Sequence, residues 1–434
     1  MELAMGQGWR YGLLGLPLAF VALPLYVHLP NVYANQFGVP LATLGLVLLL
    51  ARLFDAVTDP WLGRFSDGLF ARSHRWVLGV GAATAVVLLA GMWSLFFPPW
   101  VQGDDTNHAT LGLFIGLLIT TTAYSQMAIS HQAWGARLGG GEVQRARVVA
   151  WREGAGLVGV VLASVLPTWL GWSGWVTAFG VALVLGWLAW CRADAPSRVG
   201  PRVAQSSGWR ELLYPWRRPG FRRLMGVFVL NGLASAMPAT LVLFFIQDRL
   251  GAPEQEPLFL ATYFVCAAAS LPLWMRVVGR IGLARTWLLG MGVSVAVFIW
   301  AASLSTGDVV GFWWVCALSG LALGTDLALP GAMLAGLIGA QGDRGQRDGA
   351  YFGWWNLASK LNLALAAGLA LPLLGWMGYH PGESTPQGLT ALTVAYAVLP
   401  CAIKLIAAAG LYRFFVRPRQ AEAAVVATAP KEIS

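Results

Sequence analysis

The stretch LLLARLFDAVTDP, residues 48–60, places an arginine and two aspartates in the middle of an otherwise apolar run. On a helix at about 100° per residue, Arg52, Asp55 and Asp59 fall within an arc of about 60°, with Gly45 and Gly63 on the same face. A soluble helix turns its charges to water and its leucines to a core. A membrane helix does the reverse, so the surrounding composition decides which one this is.

Apolar residues make up 57% of the 434-residue chain and charged residues 11%, against about 25% charged in soluble domains. Mean hydropathy is +0.63. Too few charges remain to coat a globule of this size, which excludes a water-soluble enzyme and a disordered chain. The four cysteines (Cys191, Cys266, Cys316 and Cys401) stand singly in or beside apolar stretches, without metal-ligand spacing, and read as small packing residues.

A spanning helix needs about 20 mostly apolar residues. Twelve stretches qualify, near 11–29, 41–62, 76–97, 109–131, 149–170, 174–192, 223–247, 257–275, 284–303, 309–333, 350–375 and 389–412. The first is too long and lacks the cleavage pattern of a signal peptide, so it is expected to be retained. Of the 29 basic residues, 25 fall at the termini and in alternate loops, while the opposite loops hold Arg249 among acidic residues. That asymmetry orients the chain with both termini in the cytoplasm. The net charge of +9 is therefore an orientation signal and not a nucleic-acid footprint. The expected fold is all-α: residues 1–192 as a six-helix half, 193–222 as a cytoplasmic linker with an interfacial stretch from Trp209 to Trp216, 223–416 as a second six-helix half, and 417–434 as a cytoplasmic, mobile tail.

Three bases, Arg52, Lys360 and Lys404, remain at membrane depth, with Asp55, Asp59 and Asp326. Each ionisable group costs at least about 2.5–3.5 kcal/mol there, and such groups mark substrate or ion paths. Carboxylates at i and i+4 have Cβ atoms about 5–6 Å apart. At an effective dielectric of about 20 their repulsion is roughly 3 kcal/mol. A proton, Arg52, Lys360 or a metal cation must neutralise one of them. Two carboxylates with an oxygen neighbour such as Thr58 suit a hard monovalent cation; a salt-bridge network that ties helices together is the other reading. Lys404, two to three turns from Arg413, is expected to snorkel to the inner surface, and Asp326 to face a cavity. His28 and His131, near helix ends, fit a polar cavity lining or an ordinary interfacial position. Asp67, after Gly63, fits a helix N-terminal cap or a partner for Arg72 or Arg75.

The run R-x-x-D-A-x-x-D-P-x-x-G-x-x-x-D, from Arg52 to Asp67, resembles the second helix and following loop of the glycoside–pentoside–hexuronide:cation symporters, the melibiose-carrier-like branch of the major facilitator superfamily. AWGARL from Ala133, with Arg145, Arg147 and Trp151-Arg152-Glu153 after it, agrees. So do GTDLALPGAMLA from Gly324 and the segment from Gly345 to Pro381. The resemblance implies two six-helix halves that rock around a central cavity, in a multi-pass protein of the bacterial inner membrane. It implies a monomer among membrane lipids that carries a small solute, with Na⁺ or H⁺ as coupling ion, no cofactor and no nucleic-acid partner.

Carried onto this chain, the resemblance makes Asp55, Asp59 and Thr58 the cation site, with Arg52, Lys360 and Asp326 in its charge network. It makes Gln126, Ser130, Trp134, Arg152 and Asn356 the substrate cavity, and Gly63, Asp67, Arg72 and Arg75 the cytoplasmic gate. The two sugar-gripping aspartates of the melibiose carrier correspond to about Ala19 and Ser130, and Gly336 and Gly339 replace common acidic residues. Melibiose itself is not the expected solute. A lipid or lysolipid transporter and an uncoupled facilitator on the same fold are the alternatives. An intramembrane diphosphate transferase would need a second D-x-x-x-D in a span, and none exists.

Overall fold

The computed structural model describes residues 5–100, 106–196, 209–379, 382 and 385–418. All regular structure there is helical. The helices in chain order are α1 (Met5–Gly12), α2 (Gly15–Leu23), α3 (Leu29–Gln36), α4 (Leu41–Arg72), α5 (His74–Phe96), α6 (Thr106–Arg137), α7 (Glu142–Cys191), α8 (Pro219–Phe244), α9 (Glu256–Ile281), α10 (Leu283–Ala302), α11 (Val309–Ala340), α12 (Asp348–Trp376), α13 (Pro386–Thr393) and α14 (Leu399–Leu411). Single π-helical turns continue several of them, at Pro24–His28, Phe245–Arg249, Val394–Val398 and Tyr412–Val416.

Among the described residues, nine helices are long and apolar enough to cross a membrane. Two of the spans expected from sequence form one of these nine, the 50-residue α7. It is broken at Gly171, whose φ of 64° and ψ of 179° no helix contains and no side chain adopts easily. The first expected span is split into α1, α2 and α3, each of eight or nine residues. α4 is 32 residues long, carries Arg52, Asp55, Asp59, Arg64, Asp67 and Arg72, and is not among the nine.

α4 is inverted relative to a soluble helix. Leu46, Leu49, Leu50, Leu53, Val57 and Trp61 are exposed, whereas Asp55, Asp59 and Asp67 are buried. Apolar surface faces outward because the solvent there is lipid, and the polar stripe turns inward because nothing in lipid would satisfy it.

The chain forms two compact units, one of residues 1–215 with 335–360 and the other of residues 216–334 with 361–434. The first is centred on aromatic packing of Phe20, Phe96, Trp172, Trp175 and Phe179; the rings of Trp175 and Phe179 stack at 5.7 Å. The second has its own core, in which Phe245 stacks on Tyr396 at 4.2 Å and Phe259 meets Phe312 edge-on at 4.9 Å. Residues 335–360 include the start of α12, so that helix begins in the first unit.

His131 departs from the sequence reading. His131 is fully buried: its Nε2 lies 2.8 Å from the Tyr11 backbone oxygen, its ring stacks on Tyr11 at 4.3 Å, and the Tyr11 hydroxyl donates to the His131 carbonyl. This clasp ties α1 to α6. Residues 211–214 are held by protein contacts: Arg347 pairs with Glu211 at 2.8 Å and lies over the Tyr214 ring, and the Trp354 indole N–H donates to the Leu212 carbonyl. The Ala-rich tail after Arg419 is outside the described residues. In the exposed turn before α11, Asp308 accepts the backbone N–H of Ser305, which holds its carboxyl below the usual range.

Candidate functional site

On α4, residues 55, 59, 63 and 67 recur every four positions and form one slowly turning stripe. On α12, residues 349, 353, 356 and 360 form another. The two stripes run antiparallel against each other inside the first compact unit, and three glycines let the backbones touch. A Cβ on Gly63 would stand 2.1 Å from the Gly349 oxygen, one on Gly349 would stand 2.2 Å from the Gly63 oxygen, and one on Gly353 would stand 2.5 Å from the Asp59 oxygen. No side chain fits in that seam.

At one end of the seam Lys360 meets both carboxylates. Its Nζ is 2.7 Å from Asp55 Oδ2 and donates to Asp59 Oδ1 at 2.8 Å. The third ammonium hydrogen goes to Ser125 Oγ on α6 at 2.8 Å, and that hydroxyl in turn donates to Asp55 Oδ1 at 2.7 Å. Asp59 Oδ2 also lies 2.8 Å from Nζ but has no hydrogen bond of its own, since the three ammonium protons are committed. The carboxylates are 2% and 0% exposed and the lysine side chain 25%. Two carboxylates against one ammonium leave these three groups with a formal charge of −1.

Thr58 is in the cluster by sequence and not by bonding: its hydroxyl donates to the Asp55 backbone carbonyl at 3.1 Å. Ser125 takes its place as the third oxygen. Arg52 is half-buried on the same helix, but the cation that bridges Asp55 and Asp59 is Lys360.

At the other end of the seam Asp67, 3% exposed, accepts the backbone N–H groups of Gly349 and Ala350, both at 2.8 Å. It thereby caps the N-terminus of α12, where the helix dipole favours a negative charge. Its ion-pair partner is Arg137 at 2.8 Å, which also reaches Asp348 at 3.0 Å and lies over the Phe70 ring at 3.8 Å. Arg72 and Arg75, expected as partners, are exposed, and Arg72 lies over Trp76. α4 ends at Arg72, so both arginines lie past the turn from which a side chain could double back to Asp67.

The residues expected to line a substrate cavity separate into groups. Gln126 donates to Ser130 at 2.8 Å, and Ser130 shares a hydrogen bond with Ser66 at 3.0 Å; all three are buried. Gln126 Oε1 is buried with no hydrogen-bond partner. Asn356 exchanges hydrogen bonds with Gln132 at 3.3 Å, between the two ends of the seam. Arg152 pairs with its neighbour Glu153. Trp134 is 1% exposed, packs against Trp190, Phe70 and His74, and donates to the Asp194 carbonyl; it belongs to the core.

Asp326 has its own cluster. It lies in the second compact unit, where Lys404 donates to it at 2.8 Å, Trp287 at 2.8 Å and Ser235 at 3.1 Å. Lys404 therefore does not snorkel; it is 5% exposed and also donates to Asn231 at 2.9 Å. Reaching past Arg413 would mean traversing about 13 Å of helix, and a carboxylate within contact distance is the better neutraliser.

A family model described as MFS/sugar transport protein matches residues 10–417. The chain belongs to this family. It is thus a carrier and not an enzyme, and a multi-pass protein of the cell membrane. Among curated relatives, the glucuronide carrier protein homolog of Escherichia coli is 25% identical over 431 residues, covering 92% of this chain and 90% of the relative. The inner membrane symporter YicJ of Escherichia coli is 25% identical over 247 residues, 54% of this chain and 52% of the relative, so the match spans about half of that protein. Among solved structures, a bacterial homologue of the iron transporter ferroportin in an outward-facing state superposes with a TM-score of 0.69 at 15% identity, covering 95% of this chain and 99% of that one. That likeness is one of fold.

Proposed function

We propose that this MFS/sugar transport family member is a symporter that couples entry of a cation, Na⁺ or H⁺, to movement of a small sugar-like solute by alternating access. The observation that carries the reading is the Lys360 cluster. One ammonium bridges two membrane-depth carboxylates, on the same helix segment that Asp67 caps.

The cycle follows from competition. Asp55, Asp59 and Ser125 are the oxygens for the coupling cation, and Lys360 occupies them in its absence. A cation arriving there releases the lysine and removes the ionic tether of residues 348–360 to α4 and α6. What then holds the segment is the Asp67–Arg137–Asp348 cap, the inner gate of the proposed cycle. A cation with greater affinity for one arrangement than the other supplies the difference in free energy that any switch needs. Solute hydroxyls would meet Gln126, whose Oε1 lacks a donor, together with Ser130 and Asn356. The names of the relatives, a symporter and a glucuronide carrier homolog, point to the same class of transport.

Twelve spans with both termini in the cytoplasm complete the proposal. α7 is about 75 Å long if straight, more than twice the hydrocarbon core, so its break at Gly171 divides it into two spans. α4 adds one span and the α1–α3 run another to the nine apolar helices. Uptake into proteoliposomes is the test. Wild type should accumulate solute against its gradient when an inward Na⁺ or proton gradient is imposed, and Asp55→Asn or Asp59→Asn should not. Equal uphill uptake by both variants would refute the assignment.

A further inference from the structure

We infer that the second compact unit carries a binding site for an uncharged, hydroxyl-bearing six-membered ring, with Asp326, Lys404 and Ser235 as its polar end. The inference rests on the reading of the chain as a carrier of sugar-like solutes and adds a set of contacts that the coupling cluster does not contain.

Residues of α8, α9, α10, α11 and α14 and of the turn Val394–Val398 line a cavity of about 150 Å³. An apolar cavity of about that volume is filled by one benzene-sized ring. Its walls are mostly apolar and include five aromatic residues, Phe259, Tyr263, Phe264, Phe298 and Tyr396. Ligand sites share this build, an apolar aromatic surround with a few fixed polar groups that set orientation. A pyranose has the matching shape, with C–H faces for the rings and hydroxyls at its edge.

The charge state of the polar end selects the ligand. Lys404 gives its three hydrogens to Asn231, Ser235 and Asp326. Asp326 accepts from Lys404, Ser235 and Trp287, which leaves about one of its four lone-pair positions for a ligand hydroxyl. The pair is formally neutral. An anionic ligand would face Asp326 with no ammonium hydrogen left to bind it, and a cationic ligand would face Lys404. A neutral hydroxyl donor meets neither penalty.

A structural role alone accounts poorly for the arrangement. A buried ion pair is weak support for stability, since apolar residues of equal volume usually do as well or better. The adjoining cavity forfeits packing contacts as well. Two departures from stability at one place are what a ligand site leaves behind.

The test is calorimetric binding to the purified full-length protein. The probes are methyl α- and β-pyranosides of glucose, galactose and xylose, with methyl glucuronide as the charged counterpart. Two variants bracket the site. Ser319→Leu fills the cavity; the native hydroxyl bonds only the Cys316 carbonyl of its own turn, so the helix does not depend on it. Asp326→Asn with Lys404→Met removes the charges together. At least one neutral glycoside should bind wild type at least tenfold more tightly than the glucuronide, and Ser319→Leu should lose at least tenfold of that affinity. The double variant should do the same; if it does not fold, Ser319→Leu decides. Neutral binding kept within twofold in Ser319→Leu would overturn this site and leave the carrier reading intact. Equal or tighter glucuronide binding would overturn the neutral-ligand assignment. Failure of every pyranoside on wild type would overturn both the site and the sugar-type reading.

Discussion

Lys360 and Lys404 are both lysines at membrane depth with a carboxylate 2.8 Å away, yet their surroundings assign them opposite behaviour. Lys360 faces two carboxylates and one hydroxyl and is 25% exposed. Lys404 faces one carboxylate, an amide and a hydroxyl and is 5% exposed, in a group that is neutral. At the first, an arriving cation finds two carboxylates and a partly exposed lysine; at the second it would find one carboxylate that the lysine already neutralises. Proximity of a lysine to an aspartate therefore says little about function; the local charge balance and the access to it say more.

The comparison breaks most visibly in transport. Asp55→Asn and Asp59→Asn should each abolish uphill accumulation while counterflow exchange of solute persists, as measured in proteoliposomes. If instead Asp326→Asn abolishes accumulation and the other two do not, the roles of the clusters are reversed. The next effect is on stability. Lys404→Met leaves Asp326 buried without its counter-charge and should lower stability by about 3–5 kcal/mol, read by thermal or denaturant unfolding. Adding Asp326→Asn should recover most of that loss, and a purely additive second loss would mean the two residues are not a unit.

The seam that carries Lys360 gives the smaller effects. Gly63→Ala pushes a methyl towards the Gly349 oxygen and should cost about 1–3 kcal/mol, with increased labelling of cytoplasmic-side cysteine probes as the stripes separate. Asp67→Ala and Arg137→Ala should both increase that labelling, because they remove two sides of one ion pair. Arg72→Ala, at an exposed position, should change stability by no more than about 0.5 kcal/mol and leave labelling unchanged.

Much of the first cluster was legible in the sequence, and little of the second. Helical periodicity alone placed Asp55 and Asp59 on one face and demanded a counter-charge. Which group supplies it came from the resemblance to the symporters, because Lys360 lies 301 residues from Asp59. Ser125 gave no signal at all; one serine in an apolar run is ordinary. Asp67 was read as a helix cap, but Arg137, 70 residues on, was hidden behind the nearer Arg72 and Arg75. Lys404 was read against its sequence neighbours, whereas its partner Asp326 is 78 residues away. That the chain is built of long apolar helices was readable because lipid imposes length and composition on them. The break at Gly171 and the splitting of the first stretch were not, since they depend on how each turn packs.

Competition between the cation and Lys360 is the central claim, and cation binding to Lys360→Ala tests it most directly. Thermal unfolding of wild type and variant, titrated with Na⁺ and with protons, reads the affinity, since a ligand that binds only the folded form raises its melting temperature. With the competing ammonium gone, Lys360→Ala should bind the coupling cation at least tenfold more tightly than wild type, and adding Asp59→Asn should remove the response. An unchanged or weaker affinity in Lys360→Ala would contradict the account.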